Sequence, residues 1–263
     1  MSYHLCCVAL APLRREPSDA SEMVSQLLFG EALEVLEELP RWQRVRCAHD
    51  GYEGWMDPKQ ALYYGELSES DAACPLAFGP VSWLSRGEKR QWLPMGAPLR
   101  GLTADGSLEW FGEKAHFEGE SRIPLRSERP SADFFVEVLK CFFHAPYLWG
   151  GRSPLGVDCS GLVQQAFRFL GHSLPRDAYQ QALEGDPVDF GDRTFGDLCF
   201  FRNDAGRVVH VGILFTDGRI LHASGEVRLD RLGEEGIFRE KEGVWSHRRP
   251  ELRRLARFFR GIS

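Results

Sequence analysis

No apolar run in this sequence approaches the ~18 residues that a membrane-crossing helix needs, so no membrane partner is expected. The seven cysteines, Cys6, Cys7, Cys47, Cys74, Cys141, Cys159 and Cys199, include no Cys-x-x-Cys pair. That absence removes the ordinary spacing of a structural zinc site, and the odd, scattered set suits reduced thiols better than disulfides. Neither a metal nor a cofactor is expected. A long basic run is also missing, and the formal charge of −6 argues against a nucleic-acid partner. The locally basic stretch from Arg248 to Arg260 reads as a solvated end. Met1 to Leu13 lacks the basic lead, apolar run and small-residue cleavage site of a signal peptide, which makes the cytoplasm the expected location. Oligomeric state is not legible.

The 263 residues, 43% hydrophobic and 27% charged, are enough for two or three packed domains. Up to about Tyr64 the chain shows short alternating runs, Ala32 to Leu36, Trp42 to Arg46 and Tyr52 to Met56, which fit half-buried strands of a small barrel. A second β-rich unit follows, with Leu108 to Phe111 and Ala115 to Glu118 placed after the turn signals Asp105-Gly106 and Gly112-Glu113. Pro124 and Pro130 bracket a charged linker. Beyond it Phe134, Phe135, Val138, Leu139 and Phe142 recur at helical spacing, with Ser131 as a cap. A second helix is expected from Cys159 to about Leu170, stopped by Gly171. Three strands then run over Asp197 to Phe201, Val208 to Phe215 and Arg219 to Ser224. The fold class is α+β, with domains at 1–64, 65–126 and 127–263.

Chemistry concentrates at Cys159. A cysteine in the first turn of a helix faces unpaired N–H groups and the positive end of the dipole, and both favour thiolate. Cys199, inside Leu198-Cys199-Phe200, reads as a core residue. A thiol needs a base, and His is the usual one. His4, His49, His116, His172 and His247 lie in polar or turn-like settings, so the surface is their default; His144 precedes the loop without a role. His210 and His222 each interrupt an apolar strand. A three-residue loop, Thr216-Asp217-Gly218, pairs Gly212 with His222 and makes the two histidines same-face diagonal neighbours; a two-residue loop would put them on opposite faces. Cys159 then attacks a carbonyl, His210 carries the proton, and His222 either orients His210 or is a half-buried structural histidine.

These segments, with Pro146 to Gly151, Asp158 to Gln164, Gly196 to Leu198, His210 to Ile213 and Leu221 to Ser224, resemble the NlpC-like family of papain-like cell-wall cysteine peptidases. The resemblance implies a papain-like domain of helices packed on an antiparallel sheet, with Cys159, His210 and His222 as catalytic residues. It also implies that the Tyr147 hydroxyl and the Cys159 N–H hold the oxyanion. The two N-terminal units resemble bacterial SH3-like β-barrel domains, the second more weakly. The layout is similar to γ-D-glutamyl-L-diamino acid endopeptidases, which take small murein peptides with a free N-terminal L-Ala. On that likeness Asp158, Ser160, Trp149, Glu22 and Tyr52 bind substrate, with Asp158, Glu22 and Tyr52 around its ammonium. Other readings stand beside these: Asp158 as a helix cap, Glu22 as an exposed charge, Tyr52 as a core aromatic and Trp149 as a plug of the core. A related papain-like amidase or acyltransferase, or a non-catalytic peptidoglycan-binding module, remains the alternative function.

Overall fold

The computed structural model describes residues 2–68, 74–124, 127, 129–215, 217–240 and 242–256. Thr216, three residues of the 124–130 linker and the tail past 256, Arg260 included, lie outside the described residues. The chain divides into two compact units. The first comprises Met1–Leu125 and Trp149–Leu155, the second Arg126–Leu148 and Gly156–Ser263.

In the first unit, seven strands form one antiparallel sheet. They are β1 (Tyr3–Cys6), β2 (Leu10–Arg14), β3 (Met23–Leu28), β4 (Ala32–Glu38), β5 (Gln43–Cys47), β6 (Glu53–Met56) and β7 (Ala61–Gly65), in the order β3-β2-β6-β5-β4-β1-β7. The three runs expected here fall in β4, β5 and β6, save Trp42 and Tyr52, which lie just before their strands. The order is open, however, rather than the closed barrel expected. Leu5 and Cys6 explain why, because neighbours on a strand face opposite sides. Cys6 joins Leu13, Leu27, Leu33, Val45 and Met56 in one core, while Leu5 and Ala32 join a different one. That second core is completed by β8 (Leu76–Arg86), β9 (Lys89–Pro94), β10 (Ser107–Trp110) and β11 (Glu113–Arg122), a four-stranded antiparallel sheet. A sheet with apolar residues on both faces needs a cover on each, and β8 to β11 bring Ala77, Leu84, Leu93, Trp110 and Phe117 to the second face.

The short strand β12 (Arg152–Ser153) also belongs to this unit. Its Arg152 is fully buried, ion-paired with Glu31 at 2.8 Å and bonded to the Gln26 carbonyl. Gly150, at φ +77°, passes so close to β3 that a Cβ there would lie 2.5 Å from the Met23 oxygen, so the approach requires glycine.

The second unit starts with α1 (Ala132–Lys140), capped by the Ser131 hydroxyl as expected. After β13 (Gly156–Val157) comes α2 (Cys159–Arg168), buried on almost every side, then the short α3 (Ala178–Gln181). Eight strands follow: β14 (Asp186–Val188), β15 (Leu198–Arg202), β16 (Val208–Leu214), β17 (Arg219–Ser224), β18 (Glu226–Gly233), β19 (Gly236–Arg239), β20 (Val244–Arg248) and β21 (Pro250–Arg254). Their antiparallel order is β14-β21-β15-β16-β17-β18-β19-β20, and α2 lies against β16 and β17. Cys199, Phe201, Ile220, Leu232, Ile237 and Leu252 pack together, so Cys199 is the core residue expected.

Residues 250–254 correct the reading of a solvated end, which Arg248 and Arg249 still fit. β21 pairs with β15 inside the sheet, and Arg254 grips the fully buried Asp197 with two 2.8 Å bonds. Among the described residues, no helix is long and apolar enough to cross a membrane.

Candidate active site

The β16–β17 register determines how the histidines meet. Gly212 stands opposite His222, the Phe215 N–H bonds the Arg219 carbonyl, and Gly218 takes φ +76°, as the three-residue loop requires. The diagonal pair closes to a hydrogen bond of 2.8 Å between His210 Nε2 and His222 Nδ1. Both rings are buried.

A third residue, an acid not picked out in the sequence, gives this pair its direction. His222 Nε2 lies 3.1 Å from Asp230 Oδ2, and Arg228 holds the other carboxylate oxygen at 2.8 Å. Burial opposes ionisation of Asp230, but the bonds from His222 and Arg228 outweigh it and hold the carboxyl below its ordinary range. An ionised carboxylate only accepts, so His222 donates from Nε2 and its Nδ1 is bare. Nδ1 therefore accepts the Nε2–H of His210. What remains on His210 is an unprotonated Nδ1, a base.

Burial keeps that base neutral. It pushes His210 well below the usual histidine range, helped by repulsion from a proton on His247 or His222 and by the Arg239 charge. His222 is lowered too, chiefly by burial. The ring of His247 stacks on His210, with centroids 4.0 Å apart and planes at 28°. His247 is thus half-buried rather than at the surface, held in a left-handed backbone (φ +48°) at the end of β20. Burial first, then His222 and Arg239, lower it to about 4.

Cys159 opens α2 behind the N-cap Asp158, whose Oδ1 accepts the Gly161 N–H at 2.7 Å. The sulfur takes the backbone N–H of Val211, the residue after His210, and of Ser160. The expected thiolate is not the resting state. Burial, then the Asp158 charge, push the thiol up to about 12, and the opposing pull of those N–H groups and Arg176 does not win. A neutral thiol beside a strand carrying a neutral imidazole is the resting arrangement, so sulfur must give up its proton as it attacks.

Arg176 accounts for the rest of this corner. It is buried, and it clasps Asp158 through both carboxylate oxygens, at 3.0 and 2.6 Å, while bonding Ser160 Oγ at 2.9 Å. Asp158 is therefore both cap and ion-pair partner. Tyr147 is fixed by its N–H on the Gly225 carbonyl and a bridge to Val157. Burial, then Cys159 and Asp158, raise its phenol to about 12, which leaves it a proton donor at neutral pH.

Tyr147, Asp158, Cys159, Ser160, His210 and His222 all belong to the second unit, whereas Glu22, Tyr52 and Trp149 belong to the first. Trp149 is 58% exposed, so it does not plug the core; its indole N–H donates to Glu22 Oε1 at 2.7 Å. Glu22 Oε2 pairs with Arg15 at 2.8 Å. Tyr52 packs against the Cys6–Leu13 core.

Residues 144–246 match the NlpC/P60 family, and residues 13–60 match a bacterial dipeptidyl-peptidase SH3 domain. A γ-D-glutamyl-L-lysine dipeptidyl-peptidase of Bacillus subtilis (strain 168) is 32% identical over 76% of this chain and 71% of its own length. The chain belongs to the NlpC/P60 family. Another γ-D-glutamyl-L-lysine dipeptidyl-peptidase, from Bacillus cereus (strain ATCC 10987), is 28% identical over 86% of this chain and 76% of its own. A crystal structure of an NlpC/P60 family protein from Bacillus cereus ATCC 10987 superposes with TM-score 0.79 at 23% identity, covering 96% of this chain and 99% of that one. The NlpC/P60 fold, with an SH3-like domain before it, thus describes this cysteine peptidase relative.

Proposed function

We propose that the protein is a cysteine endopeptidase that hydrolyses the γ-D-glutamyl to L-diamino acid bond of murein peptides. The diamino acid is L-Lys or meso-diaminopimelate, the peptides carry a free N-terminal L-Ala, and the setting is cytoplasmic recycling of wall fragments. The observation that carries the reading is the His210–His222–Asp230 chain, which leaves a bare Nδ1 on the residue next to the backbone N–H that Cys159 Sγ accepts. The names of the two Bacillus relatives support the bond.

The reaction runs in two halves. His210 Nδ1 takes the Cys159 proton while sulfur adds to the γ-carbonyl of D-Glu, and the Cys159 N–H and Tyr147 hydroxyl stabilise the oxyanion. Collapse breaks the C–N bond, and His210 returns its proton to the leaving α-amine. Water, deprotonated by the same nitrogen, then cleaves the thioester and frees L-Ala-γ-D-Glu. In this reading residues 1–64 and 65–126 are two SH3-like domains, and Asp158, Ser160, Trp149, Glu22 and Tyr52 bind substrate. Each proposed carboxylate already has a partner within its own unit, Asp158 in Arg176 and Glu22 in Arg15 and Trp149.

The test is hydrolysis of L-Ala-γ-D-Glu-L-Lys beside its N-acetylated form, with Cys159→Ala as the blank. Release of L-Lys from the free peptide at a kcat/KM at least about tenfold above the acetylated one, a difference of ~1.4 kcal/mol, is expected. Equal rates would sink the ammonium requirement, and no cleavage of either would sink the peptidase reading.

A further inference from the structure

Arg239 stands out because, among the described residues, a neutral hydroxyl is what meets its charge. Its Nη2 donates to the neutral Ser224 hydroxyl at 2.8 Å, and its Nε is buried without a hydrogen bond. Among the described residues no carboxylate forms an ion pair with it. The acid beside the histidines, Asp230, is already shared by His222 and Arg228. A half-buried guanidinium held by one neutral hydroxyl is expensive to maintain unless an anion completes it.

Its position says which anion. Ser224 lies two residues along β17 from His222, and so on the same face. The charge of Arg239 is felt by His210, His222 and His247, all of which it makes harder to protonate. An uncompensated cation here weakens the base that catalysis needs. An anion bound to Arg239 would remove that handicap when substrate arrives.

We infer that Arg239 is a specificity residue that holds the α-carboxylate of the leaving diamino acid beside His210. This rests on the peptidase reading above. The chemistry favours the leaving side. The amine that His210 protonates carries that carboxylate on its own α-carbon, so the group that receives the proton brings the anion with it. The γ-linkage leaves a second free carboxylate, on the α-carbon of D-Glu, but that group stays with the acyl half, three carbons from the reacting carbonyl.

Three substrates separate these sources: L-Ala-γ-D-Glu-L-Lys, its C-terminal amide, and the analogue in which D-isoglutamine carries an α-carboxamide. In the full chain, Arg239→Gln is expected to lower kcat/KM for the free acid about 10- to 100-fold, mainly through KM. It should change little for the C-terminal amide, which the unaltered protein is expected to cleave less well than the free acid. Arg239→Lys should restore part of the loss. Equal losses on acid and amide would overturn the assignment. So would a loss that disappears with the isoglutamine peptide instead, which places the acyl-side carboxylate on Arg239.

Calorimetry on Cys159→Ala judges the residue without turnover. The free acid should bind about tenfold more tightly than its amide, and Arg239→Gln should erase that difference. If the unaltered protein cleaves no peptide but this preference holds, the reaction is wrong and the carboxylate site stands. If no preference is seen, the site falls.

Discussion

At the scale of single residues, the site is a set of proton assignments that depend on one another. Asp230 fixes which nitrogen of His222 carries hydrogen, and His222 fixes the same for His210. Asp230→Asn replaces an acceptor-only group with an amide that can also donate, so the second tautomer of His222 becomes available. We expect kcat to fall about 10- to 1,000-fold with KM little changed, less than when the directly bonded acid of a catalytic triad is altered. Steady-state kinetics checks this, and an unchanged kcat would remove Asp230 from the machinery. Cys159, His210 and His222 were legible in the sequence because each breaks a local pattern. Asp230 was not, since it sits in Arg228-Leu229-Asp230-Arg231, where a charge looks like any solvated charge. The one available signal was the Ser224-Gly225-Glu226 turn, which folds β18 back on β17 and pairs His222 with Arg228. His247 was hidden in the same way by Ser246, Arg248 and Arg249.

At the scale of elements, β16 and β17 work as one part. Gly212 faces His222 across the ladder, and a Cβ at Gly212 would lie 2.7 Å from two carbons of Ile220 and 2.9 Å from the Leu221 oxygen. Gly212→Ala is therefore expected to cost about 1–3 kcal/mol, by overpacking a sheet that cannot yield on that side. Denaturant melts would show this. Kinetics should show a parallel loss of kcat, because the spreading falls between the two histidines; a stable, fully active variant would mean the ladder tolerates it. Helices α1 and α2 and strands β15 to β17 were readable from apolar periodicity, whereas the short α3 and β14 were not. Strands β18 to β21 were not, because alternate positions carry Arg, Glu and Asp and their apolar residues are few. Those charges are paired in place, as Arg254 is with Asp197 and Arg202 with Glu251, so charge did not mean solvent.

At the scale of the whole molecule, three histidines resist protonation together. Burial is the leading cause for each of His210, His222 and His247. Histidines in the unfolded chain bind protons below about pH 6.5, while His247 in the fold waits until about 4 and His210 lies well below its ordinary range. Between those limits the unfolded chain holds more protons, so stability rises with pH and drains away as pH falls through the window. Melting temperature should accordingly drop from pH 7 to pH 4, and His247→Phe should make the drop shallower. A flat profile would mean that the histidines are hydrated in the fold. The open first sheet was also beyond a reading of local pattern, since Leu5 and Cys6 look alike in sequence yet serve different cores.

The strip Trp149–Leu155 ties the first unit to the timing of synthesis. Glu31 lies on β4's approach with its carboxylate buried, and its cation, Arg152, is encoded more than a hundred residues later. While only the first 125 residues have emerged from the ribosome, that acid has the Leu28 N–H and His49 beside it but no Arg152 to meet, and a buried carboxylate short of its guanidinium is costly. The Glu31–Arg152 pair of the first unit can therefore form only after that strip, a few residues ahead of Cys159, has emerged. The part of the chain translated first waits for its last ion pair on a strip that is neighbour in sequence to the nucleophile.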